Sequence, residues 1–217
     1  MKQDLVRQKR LFLLGICWLG WAGSVQAFLT ITWPGPAGGQ TGQSVWIEQA
    51  IRFSSPFGLL HSDPSATLPD NGGSFLQTSF GQDPLTFQPT NGLLITLLQV
   101  DLAEYSTTFP FPKEVVFTGY LSGGGTVTNL FVTDGIIDGT GPETDFQTFT
   151  FSADFTGLTH VDVSSPAFSM DNLVLEVIPE PASGLLLILG GLAACGSGPW
   201  NRARRKYQNP DQPARSG

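Results

Sequence analysis

Residues 28–181 carry apolar side chains at every second position in several short runs, and nowhere hold the roughly 3.6-residue period of a long amphipathic helix. In the run Glu114–Leu121, Val115, Phe117 and Leu121 share one face, and Val116, Thr118 and Tyr120 the other. Near the end of the region Leu173, Leu175 and Val177 point one way, and Asn172 and Glu176 the other. Comparable runs at 46–53, 75–80, 94–102, 126–133, 146–151 and 158–163 are separated by Gly, Pro, Ser, Thr and Asn. Such a pattern buries one face of each strand against a second layer. The stretch Ser122-Gly123-Gly124-Gly125 reads as a hairpin loop, because glycine adopts the positive φ that tight turns require.

The two cysteines, Cys17 and Cys195, lie in apolar segments near the ends, so the middle forms no internal disulfide and must hold together by burial alone. A stretch of about 150 residues is long enough to do so. Fifteen of the sixteen phenylalanines fall in it, which suggests an aromatic-rich core between two sheets. The expected fold class is all-β: a single jelly-roll-type β-sandwich, flanked by an N-terminal signal peptide and a C-terminal transmembrane sorting helix.

The flanks carry most of the positive charge. Lys2, Arg7, Lys9 and Arg10 precede an apolar run from Leu11 to Trp21, and small residues then lead to Ser24-Val25-Gln26-Ala27. This is the order of a secretory signal peptide, with Val25 and Ala27 placed for cleavage after Ala27. At the other end, no charged residue occurs from Pro181 through Asn201, and Arg202, Arg204, Arg205 and Lys206 close the segment. A helix of about 20 residues rises roughly 30 Å, enough for a bilayer core. The basic cluster belongs on the cytoplasmic side, as does the basic start of the chain, so the middle faces outward. The expected organisation is a signal peptide at 1–27, a mature N-terminal segment at 28–46 and a sandwich ectodomain at 47–177. A sorting signal follows at 178–206 and a polar cytoplasmic tail at 207–217.

Pro179-Glu180-Pro181, then a single apolar span, then an arginine-rich stop, resembles the PEP-CTERM sorting signal of exosortase substrates. Two prolines keep the chain extended just outside the membrane. The resemblance implies export from a Gram-negative cell. It also implies transient tethering in the inner membrane and recognition of Pro179, Glu180 and Pro181 by an exosortase-like protease or transpeptidase. Signal peptidase would act at Ala27. The central motifs, Val116-Phe117-Thr118-Gly119-Tyr120 through Phe168-Ser169-Met170-Asp171-Asn172-Leu173, resemble the ectodomain common in that group, which is similar to galactose-binding-like and carbohydrate-binding jelly rolls.

Charge and motifs limit the function. Residues 28–181 hold two cations, Arg52 and Lys113, against sixteen carboxylates, a formal charge of −14. Such a surface repels phosphate backbones and argues against nucleic-acid partners. Neither a Gly-x-Ser-x-Gly elbow nor a His-Glu-x-x-His motif is present, and no catalytic residue is assigned. His61 falls in a proline-rich stretch read as loop, and His160 alternates with Asp162 on the solvent side of a strand. Asp134, Asp138 and Asp171 are the candidate ligands for calcium, the one cofactor considered, with turn chemistry the competing account. Trp33, Trp46, Tyr105 and Tyr120 are the aromatic rings that could stack on sugars, with core packing as the alternative. The leading reading is a non-enzymatic surface or matrix protein associated with exopolysaccharide, an association the resemblance implies. The alternatives are a carbohydrate-binding module, calcium-dependent or not, and a permanently membrane-anchored periplasmic domain.

Overall fold

The structure, a computed structural model, describes residues 27–35, 41–78, 84–164 and 167–178. The signal-peptide run, the Pro179-Glu180-Pro181 motif, the apolar span and the basic cluster Arg202, Arg204, Arg205 and Lys206 lie outside the described residues. Eleven strands make up the described chain: β1 (Ala27–Ile31), β2 (Thr41–Glu48), β3 (Ile51–Ser62), β4 (Phe75–Thr78), β5 (Leu85–Pro89), β6 (Leu94–Glu104), β7 (Glu114–Leu121), β8 (Thr126–Val132), β9 (Gln147–Thr150), β10 (Leu158–Ser164) and β11 (Phe168–Ile178). Among the described residues there is no helix, and hence none long and apolar enough to cross a membrane.

All pairings are antiparallel, along the order β8-β7-β10-β5-β3-β4-β11-β6-β9, with β2 beside β3 and β1 beside β11. The long strand β3 serves both layers. Its first half, from Ile51 to Ser54, pairs with β5, and its second half, from Leu59 to Ser62, pairs with β4. Between the halves, Ser55-Pro56-Phe57-Gly58 leaves the register with β2, and Gly58 takes a φ of 100° that only glycine adopts freely. The chain therefore turns from one layer into the other without a loop. A bridge between Leu158 of β10 and Ile95 of β6 joins the layers along another rim, so the sandwich is barrel-like.

Side chains from both layers meet in one core. Phe53, Phe87, Phe117, Val161 and Val163 come from the first layer, and Ile95, Val100, Leu102, Met170 and Leu175 from the second. Phe117 lies edge-on to Phe151 at 5.0 Å between ring centroids, and Phe131 stacks on Phe149 of β9 at 5.0 Å, so rings close the sandwich along the β8 and β9 edges. The expected aromatic core is therefore present, and β7 has the bounds that its alternation dictates. The loop 122–125 is the β7–β8 hairpin, with Gly124 and Gly125 at φ 90° and 89°.

Three local expectations change. The run 46–53 is not one strand: β2 ends at Glu48, Gln49 and Ala50 turn the chain at φ 47° and 63°, and β3 begins at Ile51. Two consecutive positive φ values make a tight hairpin, a turn that sequences usually mark with Asn-Gly. The sheet also takes in residues upstream of 47, since β1 pairs along β11 and β2 along β3. His61 is in β3 and buried, not in a loop.

Candidate functional site

Alternation places the polar side chains of the first layer on its outer face. β7 buries Val115 and Phe117 and so presents Val116, Thr118 and Tyr120; β10 buries Val161 and Val163 and presents His160 and Asp162. Register then lines these residues up across strands. Thr128, Thr118, Asp162, Thr86 and Ser54 are successive cross-strand partners on β8, β7, β10, β5 and β3. The adjacent row holds Thr126, Tyr120 and His160, with the pair Gln88 and Arg52 next in the same register. At about 4.8 Å between strands, five strands give a polar band roughly 19 Å long.

At the centre of the band Tyr120 and His160 stand as stacked rings, 4.0 Å between centroids and 10° from parallel. Asp162 binds their surroundings together. Its Oδ1 accepts a hydrogen bond from the Thr86 hydroxyl at 2.7 Å. Its hydrogen bond to the Tyr120 hydroxyl, then its negative charge, hold the phenol above the ordinary pKa of 10.0. His160 Nδ1 shares a hydrogen bond with the Thr159 hydroxyl at 3.0 Å. On the core side Gly119 lets β7 and β10 close, since a Cβ there would lie 2.8 Å from a Leu158 methyl. An aromatic wall bordered by hydroxyl, carboxylate, amide and guanidinium groups offers both an apolar contact and directed hydrogen bonds.

A second polar region lies where the loops 63–74 and 133–146 meet β6 and β11. Asp145, 1% exposed, ties the loops: its Oδ1 accepts the Asp138 N–H and its Oδ2 the Asp70 N–H, both at 2.8 Å. Glu104, fully buried, accepts hydrogen bonds from Gly135 N at 2.7 Å and the Thr133 hydroxyl through Oε1. Asp171 lies directly across from Asp101 in the β11–β6 pairing. Its Oδ1 accepts the Asn172 N–H at 2.7 Å and its Oδ2 the Asn71 amide. Burial pushes Asp171 up to about 6, and the charges of Asp101 and Glu48 add to the effect, against the opposing hydrogen bonds from Asn71 and Asn172.

The three calcium candidates are engaged separately. Asp134 Oδ1 accepts the Ile136 N–H at 2.8 Å and Oδ2 the Gln147 amide at 2.7 Å, an Asx turn pinned to β9. Asp138 Oδ2 accepts the Glu143 N–H at 3.3 Å, and Asp171 belongs to the β6–β11 pair. Among the described residues no group of three or more His, Cys, Asp or Glu is gathered for a metal ion. Of the aromatic candidates, Trp33 is buried against Phe53, and Trp46 is half-buried and stacked on His61 at 5.1 Å. Burial raises the Tyr105 phenol, and Tyr120 alone of the four belongs to the outer band. Glu104, Asp101 and Asn71 were not singled out by the sequence, and Asp145 stood out only as one acid of the loop that also holds Asp134 and Asp138. The outward phase of Asp101 in β6 was the one available signal.

No protein-family model matches the sequence, and no curated protein matches it at a significant level. Several solved structures superpose on it weakly. A DUF4465 family protein from Bacteroides caccae has a TM-score of 0.41 at 10% identity, over 72% of this chain and 95% of that one. The xylan-binding CBM22-1 domain from Paenibacillus barcinonensis has a TM-score of 0.36 at 12% identity, over 74% and 100%. A family 11 carbohydrate-binding module from Clostridium thermocellum has a TM-score of 0.31 at 11% identity, over 66% and 97%. At this level of superposition the likeness carries no functional inference, and the reading of the outer band rests on its own residues.

Proposed function

We propose that this chain is an exported, non-catalytic module that binds a neutral carbohydrate along the outer face of β7, β10 and β5. The observation that carries the reading is the parallel Tyr120–His160 pair with Asp162 and Thr86 bonded beside it. Sugar rings present apolar C–H faces rimmed by hydroxyls, and this band offers a ring wall rimmed by donors and acceptors. The surplus of carboxylates disfavours polyanionic glycans, which leaves neutral ones. Binding of this kind suits a surface or matrix protein associated with exopolysaccharide. A glycan array followed by calorimetry tests it: the protein should retain a neutral oligosaccharide, and Tyr120→Ala should weaken it about tenfold, near 1.4 kcal/mol, without lowering the melting temperature. An array on which the wild-type protein holds no glycan overturns the reading.

The sorting pattern favours a second element of the same function. Ile178, the last residue of β11, pairs with Leu94, and Pro179-Glu180-Pro181 follows it directly in the sequence. The motif therefore starts where the sheet ends, as suits a segment read by a membrane protease or transpeptidase of exosortase type. Intact mass of the protein from its host should show loss of the apolar tail in wild type and retention in Glu180→Ala. A mature form that keeps Arg202 to Lys206 in both would make it a permanently anchored periplasmic domain.

A further inference from the structure

Glu176 sits on the outward side of β11, yet it is only 9% exposed, and its Oε1 is buried without a hydrogen-bond partner. An unpartnered buried carboxylate oxygen costs on the order of 1–3 kcal/mol or more, so such an atom calls for a donor. None of the strands around it carries a cation: β1, β6 and β11 contain no Lys, Arg or His. Its direct cross-strand partners are Thr96 on β6 and Phe28 on β1. Thr96 and Thr156 share a hydrogen bond between their hydroxyls at 2.8 Å. Thr30 is the next outward residue on β1, and the titratable groups of the same strands, Asp101, Glu104 and Asp171, lie toward their other end.

We propose that Glu176 is the docking site for the protein's own new N-terminus, the α-ammonium of Phe28. The inference rests on the export reading. Signal peptidase hydrolyses the Ala27–Phe28 amide: water adds across the bond, leaving a carboxylate on Ala27 and an ammonium on Phe28. Before the cut, the Phe28 nitrogen is an amide with one hydrogen, held in the plane of the sheet. After it, the nitrogen carries a positive charge and three donors, and is no longer tethered through Ala27. Directly opposed residues of an antiparallel pair have Cα atoms about 4.5–5.5 Å apart, and the nitrogen lies one ~1.46 Å bond from its Cα. A glutamate side chain spans the remaining distance. The same strand pairing also sets the order of events, because the bond to be cut lies within β1, where Ala27 pairs with Val177. The peptidase needs that stretch free, so β1 docks on β11 after cleavage, and the ammonium secures it.

The test uses the processed full chain, residues 28–217, in detergent micelles, with reductive ¹³C-methylation to report each amine by NMR. The Phe28 amine should titrate about one unit above its ordinary ~7.7–8.0, a tenfold tighter hold on its proton, and Glu176→Gln should return it to the ordinary value. A chain that begins one residue earlier, at Ala27, should keep the fold, show no such shift and melt somewhat below the wild type, which separates docking from simple folding. An amine that titrates alike in wild type and Glu176→Gln overturns the proposal and leaves the export reading standing. N-terminal analysis of the host protein gives the other arm: a chain that still begins at Met1 removes the export reading and the proposal with it, and a cut at any bond other than Ala27–Phe28 removes the proposal alone.

Discussion

Replacing Asp171 with asparagine, Asp171→Asn, removes the charge that β6 and β11 are least suited to hold. Asp171 is 3% exposed and faces Asp101, and its pKa rises from 3.8 to about 6. A carboxyl whose folded value lies above its unfolded value binds its proton more tightly in the folded state. Its stabilising contribution is therefore complete below the unfolded value and disappears as pH rises through about 6. With these two values, lowering pH from about 7.5 to about 5 should add roughly 1.4 kcal/mol to wild-type stability through this group alone, and continuing to about 4 should add about 2.4 kcal/mol. For a domain of this size the first step corresponds to about 3–6 °C in melting temperature. The introduced amide still accepts the Asn172 N–H through its oxygen, but its NH₂ now meets the Asn71 NH₂, so part of the gain from losing the charge is offset. The decisive quantity is the difference between the two pH profiles, because other titrating groups cancel in it. Thermal melts of both proteins in detergent, followed by near-ultraviolet circular dichroism, give it directly. Parallel profiles between about pH 5 and 7.5 would refute the placement of Asp171 as a buried, charge-crowded group.

Truncating the core ring Phe117→Ala should cost about 3–5 kcal/mol in urea denaturation, since the ring is fully buried between Phe131 and Phe151 and its neighbours come from both layers. Gly139→Ala should destabilise by about 1–3 kcal/mol, because its φ is 68° and a Cβ would lie 2.5 Å from the Ser65 carbonyl oxygen; hydrogen exchange should quicken first in 63–74 and 133–146. Asp162→Asn should lower the Tyr120 pKa toward its ordinary value, visible as an earlier phenolate transition in an ultraviolet titration compared with Tyr120→Phe, and an unchanged titration would remove the Asp162 contact from the band.

How much of this the sequence disclosed depended on whether the determining contacts were local. β7 was legible to the residue because Val115 and Phe117 alternate cleanly and Ser122-Gly123-Gly124-Gly125 marks its end. The Gln49-Ala50 turn was not, because neither residue favours positive φ by itself; the pairing of β2 with β3 imposes it. β1 escaped because its five residues follow closely on the apolar run 11–21, and its strand character comes from β11, far along the chain. β5 escaped because it is short and ends in Pro89. Tyr120, His160 and Asp162 could each be placed on an outward face from alternation. Their assembly into one band with Thr86 and Arg52 is a matter of register between β7, β10, β5 and β3, which no single stretch of sequence encodes. The carboxylates of 133–146 show the opposite case: their spacing left turn chemistry and calcium as competing accounts, and Asp134 accepts N–H groups from Ile136 in its own loop and from the Gln147 side chain on β9.

The antiparallel pairing of β1 with β11 also has a mechanical side. The start of β1 and the end of β11 are neighbours in the same ladder, Ala27 opposite Val177, so the two chain ends leave the sheet at the same point. Tension applied between those ends pulls along the direction of the inter-strand hydrogen bonds, which lie perpendicular to the strands. The bonds are then loaded one after another, as in a zipper, and not all at once in shear. β1 would peel away under small forces while the remaining strands stayed packed. A domain held by one of its ends alone never experiences that load.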